Sequence, residues 1–168
     1  MHSVGEIEIR PAGPVDIPEV RLILKEYVAW IGLDLAFQEI DAELAGLPGD
    51  YAPPRGALFV AEEKGRLLGT IGLRPLEEQA CIAGAYDAKA GEMKRLFVRP
   101  DARGRGLAKR LISVALDEAR RLHYSEIRLD TLPMMGDAQS LYTSLGFHDI
   151  EPYYDTPIAG TRFMSKKL

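Results

Sequence analysis

The sequence predicts one α/β domain, a single mixed sheet with helices on both faces. Three observations lead there. Stretches of period-two alternation and stretches of helical period succeed one another along the chain. Their order is strand, two helices, three strands, helix, strand, helix, two strands. The 168 residues are 46% apolar, and they show no internal repeat and no linker, so a single core suffices.

In chain order, Ile7 and Ile9 alternate with Glu6, Glu8 and Arg10, a strand pattern over residues 5–10 that Pro11 and Pro14 break. Asp16 stands where a cap belongs for a helix with apolar positions Val20, Ile23, Leu24, Tyr27, Val28 and Ile31. A short second helix is expected over residues 37–44, then a turn-rich connection over 47–56. Residues 57–61 and 67–73 flank Glu62-Glu63-Lys64-Gly65-Arg66, a hairpin pattern with its turn near Lys64-Gly65. Residues 75–91 have no clear period; they are expected to prolong the third strand and then form a loop with a mobile Ala/Gly-rich part. A strong strand over 93–98 is stopped by Pro100. The best helix covers 107–122, with Leu107, Ala108, Leu111, Ile112, Ala115, Leu116, Ala119 and Leu122 on one side and Asp117, Glu118, Arg120 and Arg121 outside. A strand over 126–130 follows. A short helix over 138–145 has Asp137 as its cap and Gly146 as its stop. Residues 147–150 and 162–167 read as closing strands.

Composition narrows the function. The net charge of −4 argues against nucleic acid as the main partner. One cysteine, Cys81, permits no internal disulfide and fits a reducing, cytoplasmic setting. Met1 to Glu6 lack the basic start and apolar run of a secretory signal, and no run reaches the length of a membrane span. His2, His123 and His148 have no metal-ligand spacing, so no metal is expected. Charge is unevenly spread: Lys94, Arg95, Arg99, Arg103, Arg105, Lys109 and Arg110 are opposed only by Asp101. Such an island is either a solvated surface or a local anion site.

Arg103-Gly104-Arg105-Gly106-Leu107-Ala108 joins a strand to a helix. Glycine there allows a tight turn and close backbone approach to a ligand. The first helical turn has unpaired N–H groups and the positive end of the helix dipole, and phosphate is its natural guest. The chain has no Gly-x-x-x-x-Gly-Lys-Ser/Thr, and Lys109 stands where a Gly-x-Gly-x-x-Gly pattern needs its third glycine.

Arg103-x-x-Gly106-x-Ala108 resembles the Arg/Gln-x-x-Gly-x-Gly/Ala signature of the Gcn5-related N-acetyltransferases. Glu92-Met93-Lys94-Arg95-Leu96-Phe97-Val98, Leu129-Asp130-Thr131-Leu132, Leu141-Tyr142-x-x-Leu145-Gly146-Phe147 and Pro152-Tyr153-Tyr154 look like further parts of one branch of that family. The resemblance implies a mainly antiparallel sheet of the acyl-CoA N-acyltransferase type. It also implies acetyl-CoA as co-substrate. The amides of Arg103, Gly104, Arg105, Gly106, Leu107 and Ala108 would hold its pyrophosphate, and Leu96, Phe97 and Val98 would pair with its pantetheine arm. An N–H at Val98 or its neighbour would polarise the thioester carbonyl.

An aliphatic amine has a reference pKa of about 10.4, so it must lose a proton before it attacks. The resemblance assigns that proton to Glu92, eleven residues before Arg103. It assigns the acid that assists the thiolate to Tyr142. The implied reaction moves acetyl to a primary amine by direct attack through a tetrahedral intermediate. Tyr153 and Tyr154 are expected to border the acceptor; Tyr27, Trp30, Tyr51 and Arg162 are weaker candidates. Cys81 reads as a small core residue rather than a nucleophile. Met135 stands where relatives carry an asparagine that helps hold the pantetheine, so that contact is lost or supplied otherwise. The acceptor could be a small molecule, an amino acid, a peptide N-terminus or a protein lysine, and homodimers are common among such relatives. A longer acyl group, or a coenzyme A-binding sensor without turnover, are the rival readings.

Overall fold

The computed structural model describes residues 5–168. The readings made on Met1 to Val4, including His2 as a non-ligand, lie outside the described residues.

Seven strands form one sheet: β1 (Glu8–Pro11), β2 (Ala57–Glu63), β3 (Arg66–Pro75), β4 (Ala90–Val98), β5 (Glu126–Thr131), β6 (His148–Ile150) and β7 (Arg162–Lys167), in the order β1-β2-β3-β4-β5-β7-β6. All neighbours are antiparallel except β4 and β5. Four α-helices accompany them: α1 (Ile17–Ile31), α2 (Ile40–Ala45), α3 (Leu107–Arg121) and α4 (Gly136–Ser144).

Strand alternation sorts the core to two faces. Phe59, Ala61 and Met93 pack on one face with Leu111, Ile112 and Ala115 of α3. Leu58, Val60 and Phe97 pack on the other with Val20, Ile23 and Leu24 of α1. The β2–β3 hairpin turns at Lys64 and Gly65, with φ of 51° and 79°. Two consecutive left-handed residues match the right-handed twist of the strands they join. No helix among the described residues is long and apolar enough to cross a membrane.

Three local expectations need correction. Asp16 does not cap α1: its carboxylate accepts the Gly13 N–H at 2.6 Å and the Arg10 guanidinium at 2.7 Å. Binding a turn and a neighbouring strand satisfies it better than a helix end. Asp137 is not a cap either; it lies in the first turn of α4, where its charge still complements the helix dipole. The helix expected over 37–44 divides into a 3₁₀ turn, Ala36–Gln38, and α2, separated by Glu39 with φ of 52°. After β3, residues 76–89 loop around a 3₁₀ turn at Glu78–Ala80. That loop is tied down where Ile82 N–H donates to the Tyr153 carbonyl at 2.8 Å and Arg128 donates to the Ala85 carbonyl at 2.6 Å.

Candidate active site

The site begins with a fault in the sheet. Thr70 faces Phe97, but Gly72 faces Lys94, so one residue of β3 opposes two of β4. Arg95, in the bulge, has φ of 60°. A bulge bends its strand. On the other side of β4 the parallel pairing with β5 stops at Glu92↔Arg128. Beyond it the strands part, and a cleft opens between them. Met93, Leu96, Asp130, Thr131, Ala138 and Tyr142 line it, with Tyr27 and Gln38 from the α1 side.

At the far end of β4 the chain turns through Arg103-Gly104-Arg105-Gly106 into α3. Gly104 and Gly106 have φ of 78° and 73°, a region that strains any residue with a side chain. Arg110 N–H makes the first bond into the helix, to the Gly106 carbonyl at 3.2 Å. Among the described residues, the N–H groups from Gly104 to Lys109 have no protein partner. A Cβ at either glycine would meet no atom within 4 Å, so this array faces open space. It is a ready cradle for a diphosphate at the positive end of a 15-residue helix. The Thr131 hydroxyl, in a residue 2% exposed, is likewise without a partner in the cleft. These groups fit a coenzyme A that lays its pyrophosphate on the loop and its arm in the gap.

Most of the basic island is committed to other partners. Lys94 pairs with Asp130 at 2.8 Å, Arg95 with Glu43 at 2.7 Å, and Arg105 with Glu63 at 2.9 Å. Arg99 is held by Glu19, Glu26 and the Leu67 carbonyl. The main-chain amides, with exposed Lys109 beside them, are the groups left free for an anion.

On the α1/α2 face of β4 lies a second, wider groove. Glu43, Tyr51, Arg74, Glu92, Tyr153 and Tyr154 line its inner part. Glu92 is 5% exposed. One of its oxygens accepts Arg74 Nε at 2.9 Å and the other accepts the Tyr153 hydroxyl at 2.6 Å. Arg74 also pairs with Glu43 at 3.1 Å. Burial would raise the Glu43 carboxyl, but the hydrogen bond and charge of Arg95 outweigh it and hold the group below its ordinary value. Lys94 and Gln38 line both cavities, so cleft and groove meet across β4.

The expected site residues divide between these parts. Leu96 lines the cleft, whereas the Phe97 side chain packs in the α1 core, 5.6 Å from the Tyr27 ring. The Val98 carbonyl accepts Arg103 Nε at 3.0 Å, and the Arg103 guanidinium lies over Trp30 at 5.1 Å. Leu107 is buried in the core and offers the loop only its N–H; Ala108 is half-buried. Tyr142 sits in the cleft with its ring 5.6 Å from Phe147, and burial pushes its hydroxyl well above the ordinary tyrosine value. Tyr153 is 2% exposed and holds Glu92, while Tyr154 is half-buried on the groove wall. Tyr51 and Tyr27 join the groove and the cleft respectively. Arg162 instead pairs with Asp149 on the surface. Cys81 borders the groove, and burial pushes its thiol up, away from the reactive thiolate.

Arg74, Glu43 and the Lys94–Asp130 pair went unnoticed in the sequence. Glu43 falls within the short helix expected over 37–44, and Arg74 just past the strand expected over 67–73, with no local signal for either. Only the register Arg74↔Glu92 puts the second beside the expected base.

The acetyltransferase (GNAT) family model matches residues 21–147. An uncharacterized N-acetyltransferase of Schizosaccharomyces pombe is 38% identical over 92% of this chain and 90% of its own length. Escherichia coli YjgM, another uncharacterized N-acetyltransferase, is 30% identical over 85% of this chain and 87% of its own length. Among solved structures, a GNAT-family acetyltransferase from Staphylococcus aureus superposes with a TM-score of 0.74 at 20% identity, covering 96% of this chain and 99% of that one. The PaiA N-acetyltransferase of Thermoplasma acidophilum, solved in complex with coenzyme A, gives a TM-score of 0.72 at 20% identity over 97% and 99% of the two chains.

Proposed function

The chain belongs to the acetyltransferase (GNAT) family and is an acetyl-CoA-dependent N-acyltransferase; from that premise we propose that it acetylates a primary amine which reaches β4 through the groove and attacks the thioester directly. The observation that carries this reading is the meeting of the two cavities at β4. The coenzyme cleft, with Tyr142, opens on one side, and the groove, with Glu92, opens on the other.

The amine arrives largely as an ammonium ion and gives up a proton before attack. Glu92 takes it, directly or through one water. Arg74 and Tyr153 fix the carboxylate while each oxygen keeps a further lone pair. The nitrogen forms a bond to the acetyl carbon, the carbon–sulfur bond breaks, one further proton passes from nitrogen to water, and one arrives at sulfur from a donor that water then reprotonates. Tyr142 supplies the proton at sulfur, since burial keeps its hydroxyl protonated at neutral pH. Acid and base each contribute about 10²–10⁴-fold in such reactions. The free amides from Gly104 to Lys109 hold the diphosphate, and the Thr131 hydroxyl offers the arm a polar contact near the position Met135 leaves without one.

A thiol-release assay with acetyl-CoA against a set of primary amines tests the proposal. Turnover with at least one amine, lowered about 10²-fold or more by Glu92→Gln, is expected. Coenzyme binding without thiol release for any amine would replace it with the sensor reading.

A further inference from the structure

The mouth of the groove is acidic in a way the catalytic chemistry does not use. Glu39, Asp50, Glu77 and Asp155 all line it, and among the described residues none of them has an ion-pair partner within 4 Å. The cations of the same groove are already committed. Arg74 is shared by Glu43 and Glu92, and Lys94 is taken by Asp130. An incoming anion would therefore find no free positive group there, and an incoming cation would find several free negative ones.

Two of these carboxylates are close enough to act on each other. The Glu77 carboxyl is pushed up, first by partial burial, then by the neighbouring Asp50. Like charges in contact are costly unless a cation or a proton lies between them. A second observation comes from the floor of the groove. Tyr51 is 2% exposed, lines the groove, and carries a hydroxyl with no hydrogen-bond partner. Its ring lies under the Arg74 guanidinium at 5.7 Å, and Arg74 in turn pairs with Glu92. Burial keeps that hydroxyl protonated, so it offers an oxygen lone pair that nothing in the protein uses. A buried orphan of this kind calls for a partner.

We propose that the acceptor is at least dicationic: one amine is acetylated beside Glu92, while a second positive group sits at the Asp50–Glu77 mouth and the connecting segment passes the Tyr51 hydroxyl. This rests on the reading of the groove as the acceptor route. It excludes acceptors whose second group is a carboxylate, such as free α-amino acids. It favours diamines, longer polyamines and lysine side chains in basic segments.

Three probes of matched length test it: 1,4-diaminobutane, butylamine and 4-aminobutanoate, with longer diamines to set the spacing. In thiol release, the best diamine is expected to exceed its monoamine by about tenfold or more in kcat/KM, the size of one charge-assisted hydrogen bond. The carboxylate probe should fall below both. In the Asp50→Asn/Glu77→Gln variant the diamine-to-monoamine ratio should collapse towards one, mainly through KM. Equal kcat/KM for diamine and monoamine in the wild type, or a ratio the variant leaves intact, overturns the proposal. Calorimetry of the same probes on the coenzyme A-bound protein separates the two readings. Diamine-selective binding lost in the variant, with no thiol release, supports the acidic mouth and sinks the assignment of turnover. Turnover without diamine selectivity does the reverse.

Discussion

Tyr153 donates its hydroxyl to Glu92 at 2.6 Å across 61 residues of sequence, and both side chains are shut away from solvent. The bond joins the tail after β6 to the strand that carries the expected base. We propose that it makes Tyr153 a positioning residue for Glu92, beside the groove that Tyr153 also lines.

Tyr153→Phe removes the donor and keeps the ring, which stacks edge-on to Phe163 at 5.3 Å. Hydrogen bonds to charged groups contribute about 1.5–3 kcal/mol, so a lower melting temperature is expected. With Glu92 held by Arg74 alone, kcat should drop about tenfold while acetyl-CoA affinity stays unchanged, as a fraction of the 10²–10⁴ that a general base supplies. A variant that loses stability but keeps kcat would reduce Tyr153 to packing.

The loop amides make a different prediction. At Gly106, with φ of 73°, alanine brings left-handed strain of about 1–2 kcal/mol and no clash, because its Cβ meets open space. Aspartate adds the same strain and a negative charge beside the amides. Calorimetry with coenzyme A should show Gly106→Ala weakened modestly and Gly106→Asp weakened at least another tenfold, with melting temperatures alike. Equal affinity for the two variants would mean that the diphosphate binds elsewhere.

Tyr142 hydrogen-bonds no protein group among the described residues, and its ring packs on Phe147. Tyr142→Phe should therefore fold normally and bind acetyl-CoA as before. Its turnover should fall about 10²-fold or more if the hydroxyl protonates the leaving thiolate. Stopped-flow comparison of acetyl transfer to amines of differing basicity checks this, and unchanged transfer rates would remove the hydroxyl from the chemistry.

The sequence showed what is local and periodic. The amphipathic pattern of α3, the Lys64-Gly65 turn and the Gly104–Gly106 loop each encode themselves within a few residues, and all three stand where expected. The charge network did not show itself. Lys94, Arg95 and Arg99 looked like part of a surface island, yet each turns inward because a carboxylate from another element meets it: Asp130, Glu43, and Glu19 with Glu26. Those partners lie 36 to 80 positions away, and no periodicity links them. The caps failed for a related reason. Asp16 had a stronger partner, Arg10, on a neighbouring strand than the helix end it precedes.

The Lys94–Asp130 pair tests how far such a network supports the fold. Both side chains are 6% exposed and lie 2.8 Å apart across the opening between β4 and β5. Burial alone would raise the Asp130 carboxyl; the charge and hydrogen bond of Lys94 outweigh it and hold the group below the ordinary value of 3.8. A carboxyl depressed in the folded state adds stability that is present above its unfolded value and is lost as pH falls through the folded one. Melting temperature should therefore hold from neutral pH to about 5, then decline below 4 as Asp130 and the similarly depressed Glu43 and Asp16 protonate. Lys94→Met leaves a buried charge without its partner and should cost about 3–5 kcal/mol at neutral pH. Adding Asp130→Leu should recover much of that loss and make the acid decline shallower, since one of the depressed carboxyls is gone. A double variant no more stable than Lys94→Met, with an unchanged acid limb, would show that the pair contributes through shape rather than charge.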